Sequence, residues 1–288
     1  MSIVTLECQN NMQTTCISHF VPSLFDRPKP VIGVIHLSAL PSSPRWRNSL
    51  KDVLERAEQE ATALASGGVD GILVENFFDA PFASGAVDPA VVSAMTLAVQ
   101  RVRQLVNIPV GINVLRNDGK SAMAIASCTG AEFIRVNVLA GAMITDQGVI
   151  EGIAYELLRY RRILGSDVKI FADVLVKHSQ PLGSPSLSHL IQDTIERSLA
   201  DGIIISGAIT GEEPSLHDLK TAYEVCHSCH LTPLWIGSGA NPHNIGQLLN
   251  YADGVIVASS LKRGGQITHP IDPLRVQRFM EAVRQSFP

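Results

Sequence analysis

The stretch SGGVDGILVEN, residues 66–76, contains the pattern that decides the fold. A turn of small residues leads to the acidic Asp70 and then to a short apolar run, as expected where a helix ends and a buried strand begins. The same order of turn, acidic residue and apolar run recurs at 129–133, 199–203 and 251–255. The recurrence predicts a repeated helix-to-strand unit.

Eight short apolar runs alternate with amphipathic stretches from residue 30 onward. The runs are nearly continuous, as parallel strands covered on both faces are. Eight strand–helix units favour a closed (β/α)₈ TIM barrel. The alternative is an open doubly wound sheet, which usually carries a G-x-G-x-x-G turn after its first strand, where this chain has HLS (36–38). The predicted strands are 31–36, 71–76, 109–114, 133–138, 169–176, 202–207, 233–238 and 254–259, and the predicted helices are 49–66, 88–105, 119–129, 149–164, 187–200, 215–228, 243–251 and 273–286.

The bulk composition excludes several classes of protein. The 288 residues are 45% hydrophobic and carry a formal net charge of −4, with no basic tract of the kind that binds nucleic acid. No apolar run approaches the roughly 18 residues of a membrane-spanning helix, and the start of the chain lacks the features of a secretory leader. We expect an irregular extension over 1–29, a single barrel domain over 30–288, and a location in the cytosol or on a membrane face that borders it.

The segment Cys226-His227-Ser228-Cys229-His230 matches the attachment pattern of c-type haem. Covalent haem attachment normally takes place outside the cytosol, and this segment falls near the end of a predicted helix. No second Cys or His cluster supplies the further ligands that a zinc site needs. We therefore interpret the motif as structural and assign no cofactor.

Polar residues recur at the carboxyl ends of the predicted strands, where the functional face of a barrel is built. Asp173 is the first candidate for a general base and Glu75 the second, while Lys177 is a candidate to neutralise negative charge and His36 to donate a proton. A divalent cation held by His36, Glu75, Asp173 and His178 is an alternative that no tight ligand spacing supports. So is a set of buried ion pairs that only stabilises the barrel. The candidate substrate-binding residues are Asn76, Asn113, Arg135, Asn137, His178 and Ser206.

The segments IGSGAN (236–241) and VASSLK (257–262) follow the last two predicted strands. Glycines allow close approach of the backbone to an anion, and serines add hydroxyl donors. In many barrels these two loops bind a phosphate group; the alternative is that the glycines serve a tight turn. We predict a phosphate site made of Gly237, Ser238, Gly239, Ala258, Ser259 and Ser260.

Several long motifs, among them PVIGVIHLSALP (30–41), GGVDGILVENFFDAPF (67–82) and KIFADVLVKHSQPL (169–182), resemble the BtpA family. The resemblance covers roughly residues 30–285. It implies a barrel similar to the ribulose-phosphate-binding barrels. For the cyanobacterial branch it implies an extrinsic protein on the cytoplasmic side of the thylakoid membrane that is needed for accumulation of photosystem I reaction-centre proteins.

Three functional hypotheses follow. The first is a photosystem I biogenesis factor that acts with reaction-centre proteins or their assembly machinery and keeps a site for a phosphorylated small molecule. The second is a lyase, isomerase or aldolase-like enzyme acting on a phosphorylated small molecule. The third is a non-catalytic barrel that binds proteins through its helices. Pairing of the chain with itself is left open, and no nucleic-acid partner is expected.

Overall fold

The predicted strands close into a barrel. The computed structural model describes residues 24–207 and 209–287, in which eight parallel strands pair in sequence order until the last returns to the first. The predicted (β/α)₈ barrel is confirmed. The strands are β1 (Val31–His36), β2 (Gly71–Glu75), β3 (Val110–Asn113), β4 (Phe133–Val136), β5 (Ala142–Thr145), β6 (Gly148–Glu151), β7 (Lys169–Val174), β8 (Ser179–Pro181), β9 (Gly202–Ile205), β10 (Leu234–Ile236) and β11 (Gly254–Val257), of which β5, β6 and β8 lie outside the barrel.

Helices follow the barrel strands and begin where the sequence supplies caps. Asp88 and Asp272 each accept a hydrogen bond from the amide two residues on, ahead of a proline that starts the helix. Ser49 caps the first helix by accepting a hydrogen bond from the amide of Asp52, three residues on. The helices are α1 (Leu50–Gly67), α2 (Pro89–Leu105), α3 (Gly119–Thr129), α4 (Ala154–Ile163), α5 (Leu187–Gln192), α6 (Leu216–Val225), α7 (Ile245–Leu248) and α8 (Pro273–Ser286).

One predicted helix begins later than expected. The pattern at 149–164 was predicted to be helical throughout, but β5 and β6 form a hairpin that β8 extends into a small antiparallel sheet. Gly148 has φ +100, which a β-turn tolerates and a helix does not. Met143 and Ile150 point inward while Ile144 and Val149 are exposed, the alternation of a strand.

Three other helices are shorter than predicted. α5 and α6 each end in a π-helical turn, over Asp193–Arg197 and Cys226–His230 respectively. The stretch predicted at 243–251 contains only the four-residue α7, followed by a 3₁₀ turn at Leu249–Tyr251. Each still packs apolar side chains against the barrel, which is why the helical periodicity was visible in the sequence.

The recurring acidic residue joins pairs of strands at the amino-terminal end of the barrel. Each carboxylate directly precedes one strand and accepts a hydrogen bond from the first or second amide of the barrel strand before it. Each also lies near a cation, Arg27, Arg103, Arg161 or Lys29 in chain order. The bonds are Asp70 to Val31 N (2.9 Å), Glu132 to Val110 N (2.8 Å), Asp201 to Ile170 N (2.9 Å) and Asp253 to Leu234 N (2.8 Å).

Aromatic rings fill the amino-terminal half of the barrel interior. Phe171 stacks between Phe133 and Trp235, with 5.1 Å between ring centroids on each side. Phe25, from the segment before β1, packs against Trp235 at 5.4 Å and closes this end. Gly111 makes room for the Phe133 ring, since a Cβ there would lie 2.1 Å from it. The rest of the predicted extension, residues 1–23, lies outside the described residues.

Candidate functional site

A cavity of about 400 Å³ opens at the carboxyl ends of the barrel strands. Because parallel strands all end on the same face, polar residues that are far apart in sequence meet there. Every predicted site residue except Asn76, Ser206 and Ser260 lines it. The predicted residues in its wall are His36, Glu75, Asn113, Arg135, Asn137, Asp173, Lys177, His178, Gly237, Ser238, Gly239, Ala258 and Ser259.

Arg135 organises the floor of the cavity. Its Nε and Nη2 donate to the two carboxylate oxygens of Asp173 at 2.8 Å each, and Nη1 donates to Oε1 of Glu75 at 3.4 Å. Asn137 adds a hydrogen bond to Asp173 at 3.1 Å. All four side chains are buried. Burial lowers the pKa of Arg135, but the charge and hydrogen bonds of Asp173 and the charge of Glu75 outweigh it, so the guanidinium stays protonated.

Glu75 stays ionised in spite of its burial. Burial alone raises its pKa, but the hydrogen bond from His36, the charge of Arg135 and the hydrogen bond from Asn113 lower the pKa to about 2. The register explains the cluster, since His36 lies beside Glu75 and Glu75 beside Asn113 at the ends of three adjacent strands. Glu75 is therefore an acceptor at neutral pH rather than a proton donor.

His36 is a neutral imidazole with one free acceptor. Burial lowers its pKa more than the nearby Glu75 raises it. Nε2 lies 3.4 Å from Oε2 of Glu75 and must carry the proton, because an ionised carboxylate only accepts. Nδ1 is then a lone-pair acceptor, and within the described residues it has no hydrogen-bond partner. The ring is held by stacking on Phe77, 4.1 Å away between centroids.

Lys177 lies between the Arg135 cluster and the loop after β10. Its Nζ donates to the carbonyl of Gly237 at 2.9 Å. Burial and the positive charge of Arg135 lower its pKa to about 8. Arg116 donates to the Lys177 carbonyl at 2.6 Å and so fixes the loop that carries it.

The two predicted phosphate loops face the same cavity, but they do not contribute equally. The amide of Gly237 donates to Ile205 O at 2.8 Å within the barrel, so it is not available to a ligand and that part of the prediction is corrected. The Ser238 hydroxyl donates to Glu212 O at 2.7 Å and accepts from Gly207 N at 3.0 Å, so it braces the neighbouring loop.

The residues of these loops that line the cavity include Gly239, Ala258 and Ser259. None of the three donates to another of the described residues. Gly239 has φ +77, and a Cβ there would lie 2.2 Å from the Glu213 backbone, so no other residue fits without a shift of the loop. Unpaired amides in the wall of an open cavity suit an anion.

Three predicted residues lie behind the cavity wall. Asn76 accepts from Leu115 N at 2.7 Å and so holds the loop after β3. Ser206 packs beneath Gly237, and the carbonyl of Ser260 accepts from Arg275 at 2.9 Å. Other lining residues were not predicted, because they lie in the loops beyond the strand ends: Arg45, Arg116 and the aromatic residues Phe77, Phe78 and Phe82. The basic Arg116 in VLRND (114–118) was the one signal available.

Cys226 and His227, from the 226–230 segment, do not line the cavity. Cys226 is fully buried against the core, and burial raises the pKa of its thiol to about 12, which suits packing. The side chains of Cys229 and His230 lie outside the described residues. Over 24–207 and 209–287, no three His, Cys, Asp or Glu side chains form a cluster that would hold a metal ion.

The geometry defines a class of protein: a (β/α)₈ barrel with a charged, partly apolar cavity at the catalytic end of the fold. The BtpA family model matches residues 27–285, and the chain belongs to the BtpA family. It is 65% identical to the photosystem I biogenesis protein BtpA of Synechocystis sp. over 91% of this chain and 90% of that protein. It is 46% identical to an uncharacterized protein of Pyrococcus furiosus over 84% and 90%, and 32% identical to a mitochondrial uncharacterized protein of Caenorhabditis elegans over 91% and 96%.

Solved structures similar in fold are TIM-barrel proteins. KGPDC from Streptococcus mutans superposes with a TM-score of 0.58 at 10% identity, over 91% of this chain and all of that one. Phosphoribosyl anthranilate isomerase from Thermococcus kodakaraensis gives a TM-score of 0.53 at 15% identity, over 89% and 99%. At these identities the likeness shows the fold alone. No helix within the described ranges has the length and apolar character to cross a bilayer.

Proposed function

We propose that the protein binds a phosphorylated small molecule in the cavity and acts on it, and that in an organism with photosystem I the accumulation of reaction-centre proteins depends on this site. The observation that carries the proposal is that unpaired amides and cationic side chains face one cavity. Arg135 already binds both carboxylates of the wall, whereas Arg45, Arg116 and Lys177 face the same space without a carboxylate partner among the described residues. The balance of charge suits a phosphate dianion.

The placement of the free amides supports the same ligand. Gly239 follows β10, and Ala258 and Ser259 follow β11, the seventh and eighth strands of the barrel. Loops at these positions bind phosphate in many TIM barrels. The phosphoribosyl substrate in the name of one structural neighbour is consistent with this proposal.

The relatives favour a function wider than photosynthesis. The Synechocystis relative is named for photosystem I biogenesis, but similar proteins occur in an archaeon and a nematode, which have no photosystem. A small-molecule site is a feature that all of these organisms can use. In a cyanobacterium we propose that the protein lies on the cytoplasmic side of the thylakoid membrane, attached through protein partners.

Calorimetric titration with inorganic phosphate and a panel of sugar phosphates tests the ligand. We expect binding to the wild type and its loss in Ser259→Glu, which places a carboxylate beside the free amides. Ser260→Glu is the matched control, because Ser260 does not line the cavity, and it should bind as the wild type does. No binding at millimolar concentrations of any of these ligands would refute the proposal.

The same variants separate the two roles in a cyanobacterium. Ser259→Glu introduced into the gene of the Synechocystis relative should lower photosystem I content, while the Ser260→Glu counterpart should not. Normal photosystem I in the first strain would show that biogenesis is independent of the cavity. Build-up of a sugar phosphate in a deletion strain would favour an enzyme over a pure assembly factor.

A further inference from the structure

The ligand that the cavity fits must carry hydrogen-bond donors. His36 Nδ1 and Asn137 Oδ1 are buried, belong to residues of the cavity wall, and have no hydrogen-bond partner in the described part of the chain. Both are acceptors, since Nε2 of His36 is turned to Glu75 and the amide nitrogen of Asn137 is given to Asp173. Buried acceptors of this kind are normally satisfied, and ligand hydroxyl groups would satisfy them. Two such acceptors on one wall suit a phosphorylated ligand that also carries hydroxyl groups.

The cavity also contains an amine without a counter-ion. Lys177 is partly buried, and within 24–207 and 209–287 no carboxylate lies within ion-pair distance of its Nζ. Its contact is the carbonyl of Gly237, two residues before the free amide of Gly239. The amine, the amides of Gly239 and Ser259 and the acceptors on the floor therefore belong to residues that line one cavity.

The loop that carries Lys177 is held in an uncommon conformation. Leu175 and His178 have φ of 60° and 55°, a left-handed region that residues other than glycine rarely adopt. Arg116 bonds the carbonyl between them. Such strain persists where the surrounding structure imposes it, and it is concentrated at functional sites. Here it turns the Lys177 side chain into the cavity.

We propose that Lys177 forms a Schiff base with the carbonyl carbon of an open-chain sugar phosphate. This inference rests on the proposed phosphate site and names its substrate class, a phosphorylated polyhydroxy ketone or aldehyde. The neutral amine adds to the carbonyl carbon, and the oxygen takes up a proton. The resulting hydroxyl leaves as water with a second proton, and the nitrogen keeps one proton as an iminium ion. Starting from the ammonium form, the step releases one water and needs no other reactant.

The electrostatics of the site supply the neutral amine. A pKa of about 8 leaves a useful fraction of Lys177 unprotonated near neutral pH, whereas an exposed lysine has almost none. Burial and Arg135 lower this pKa most, Arg116 adds to the effect, and Asp173 and Glu75 oppose it. The cations thus favour both the free amine and the bound phosphate.

Reduction with borohydride tests the proposal directly. The full-length protein is mixed with ribulose 5-phosphate or dihydroxyacetone phosphate, reduced, and mapped by peptide mass spectrometry. We expect one adduct, on the peptide that contains Lys177. It should be absent in Lys177→Arg and retained in Lys220→Arg, a control at an exposed lysine. The rate of adduct formation should rise with pH through a midpoint near 8.

Two further measurements separate this inference from the phosphate site. Binding of these sugar phosphates by calorimetry without any adduct at Lys177 overturns the Schiff base and leaves the proposed function intact. Pyridoxal 5′-phosphate and pyridoxal provide the second comparison, with inorganic phosphate as competitor. Faster labelling of Lys177 by the phosphorylated aldehyde, suppressed by inorganic phosphate, supports both proposals. Equal labelling that phosphate does not suppress supports the reactive amine and contradicts the phosphate site.

Discussion

At the amino-terminal end of the barrel, four carboxylates each accept a hydrogen bond from the first or second amide of a neighbouring strand, and each lies near a separate cation. At the carboxyl end, two carboxylates from different strands meet one guanidinium, that of Arg135. The first arrangement repeats around the barrel and leaves its backbone groups paired. The second occurs once and leaves acceptors of His36 and Asn137 without partners. The repeated bonds stabilise the fold, and the end with the unpaired acceptors is the one at which we propose that a ligand binds.

Lys262 and Lys177 show a similar contrast between a paired and an unpaired charged group. Lys262 is fully buried, and its Nζ lies 3.2 and 3.1 Å from the two oxygens of Glu60. Lys177 also has a lowered pKa, but it contacts a backbone carbonyl and faces a cavity. Burial lowers the pKa of both lysines, and the presence of a carboxylate partner separates the structural one from the reactive one.

Removal of Arg135 should have the largest effect on stability. In Arg135→Met, Glu75 and Asp173 lose their shared counter-ion while still buried, and the free energy of unfolding should fall by about 3–5 kcal/mol. Urea unfolding measures it. Arg101→Met is the control, because Arg101 forms an exposed ion pair with Glu58 that contributes at most about 1 kcal/mol. A similar small loss for both variants would mean that the cluster at the mouth is hydrated.

Acid should act on the mouth of the barrel through Glu75. The unfolded chain protonates this group near pH 4.5 and the folded protein near pH 2, so between these values the unfolded state binds more protons. Glu75 therefore contributes stability above pH 4.5 that is lost as the pH falls toward 2, on the order of 3 kcal/mol in all. The slope of unfolding free energy against pH in this window should be shallower in Glu75→Gln. Equal slopes would contradict the lowered pKa.

The contrast between the ends also explains what the sequence could predict. The fold was predictable because its signal is repeated: the turn, acid and apolar run before β2, β4, β9 and β11 has one structural cause. Most of the residues that line the cavity were predictable, because all strands of a parallel barrel end on the same face. The contact of Arg135 with Asp173, 38 positions along the chain, and with Glu75 depends on side-chain directions that no local pattern encodes.

Local hydrogen bonds decided the details that the sequence did not predict. Ser238 and Asn76 are the same kinds of residue that bind ligands, but here they bond to the backbone of neighbouring loops. The hairpin of β5 and β6 was hidden because its apolar residues fit a helical period as well as an alternating one until Gly148 is placed in its turn.

Loss of a carboxylate at the amino-terminal end should weaken the fold and leave ligand binding unchanged. Asp253→Ala leaves the buried amide of Leu234 without its acceptor, which should cost about 1–3 kcal/mol. The affinity for a sugar phosphate, measured by calorimetry below the unfolding transition, should equal that of the wild type. In Asp173→Asn, at the other end, the affinity should fall because the charge that orients Arg135 is lost. Reduced affinity in Asp253→Ala would contradict the prediction that the amino-terminal end affects stability but not ligand binding.

The smallest expected effect is the pH dependence of stability that comes from two histidines. It tests the difference between the two ends directly, because it compares the same residue type at each. His227 lies beside Asp253, whose hydrogen bond and charge outweigh burial and raise the pKa of the imidazole. His36, at the mouth, is buried so fully that its pKa is lowered in spite of Glu75.

His227 therefore contributes stability that is complete below about pH 6.5 and lost as the pH rises through its folded pKa. His36 has the opposite effect on stability. Stability falls as the pH drops below about 6.5, because the imidazole is protonated in the unfolded chain at a pH at which it is still neutral in the folded protein. Titration of the imidazole resonances by NMR, assigned with His36→Gln and His227→Gln, should give midpoints on opposite sides of 6.5. Midpoints on the same side of 6.5 for both histidines would contradict the proposed difference between the two ends of the barrel.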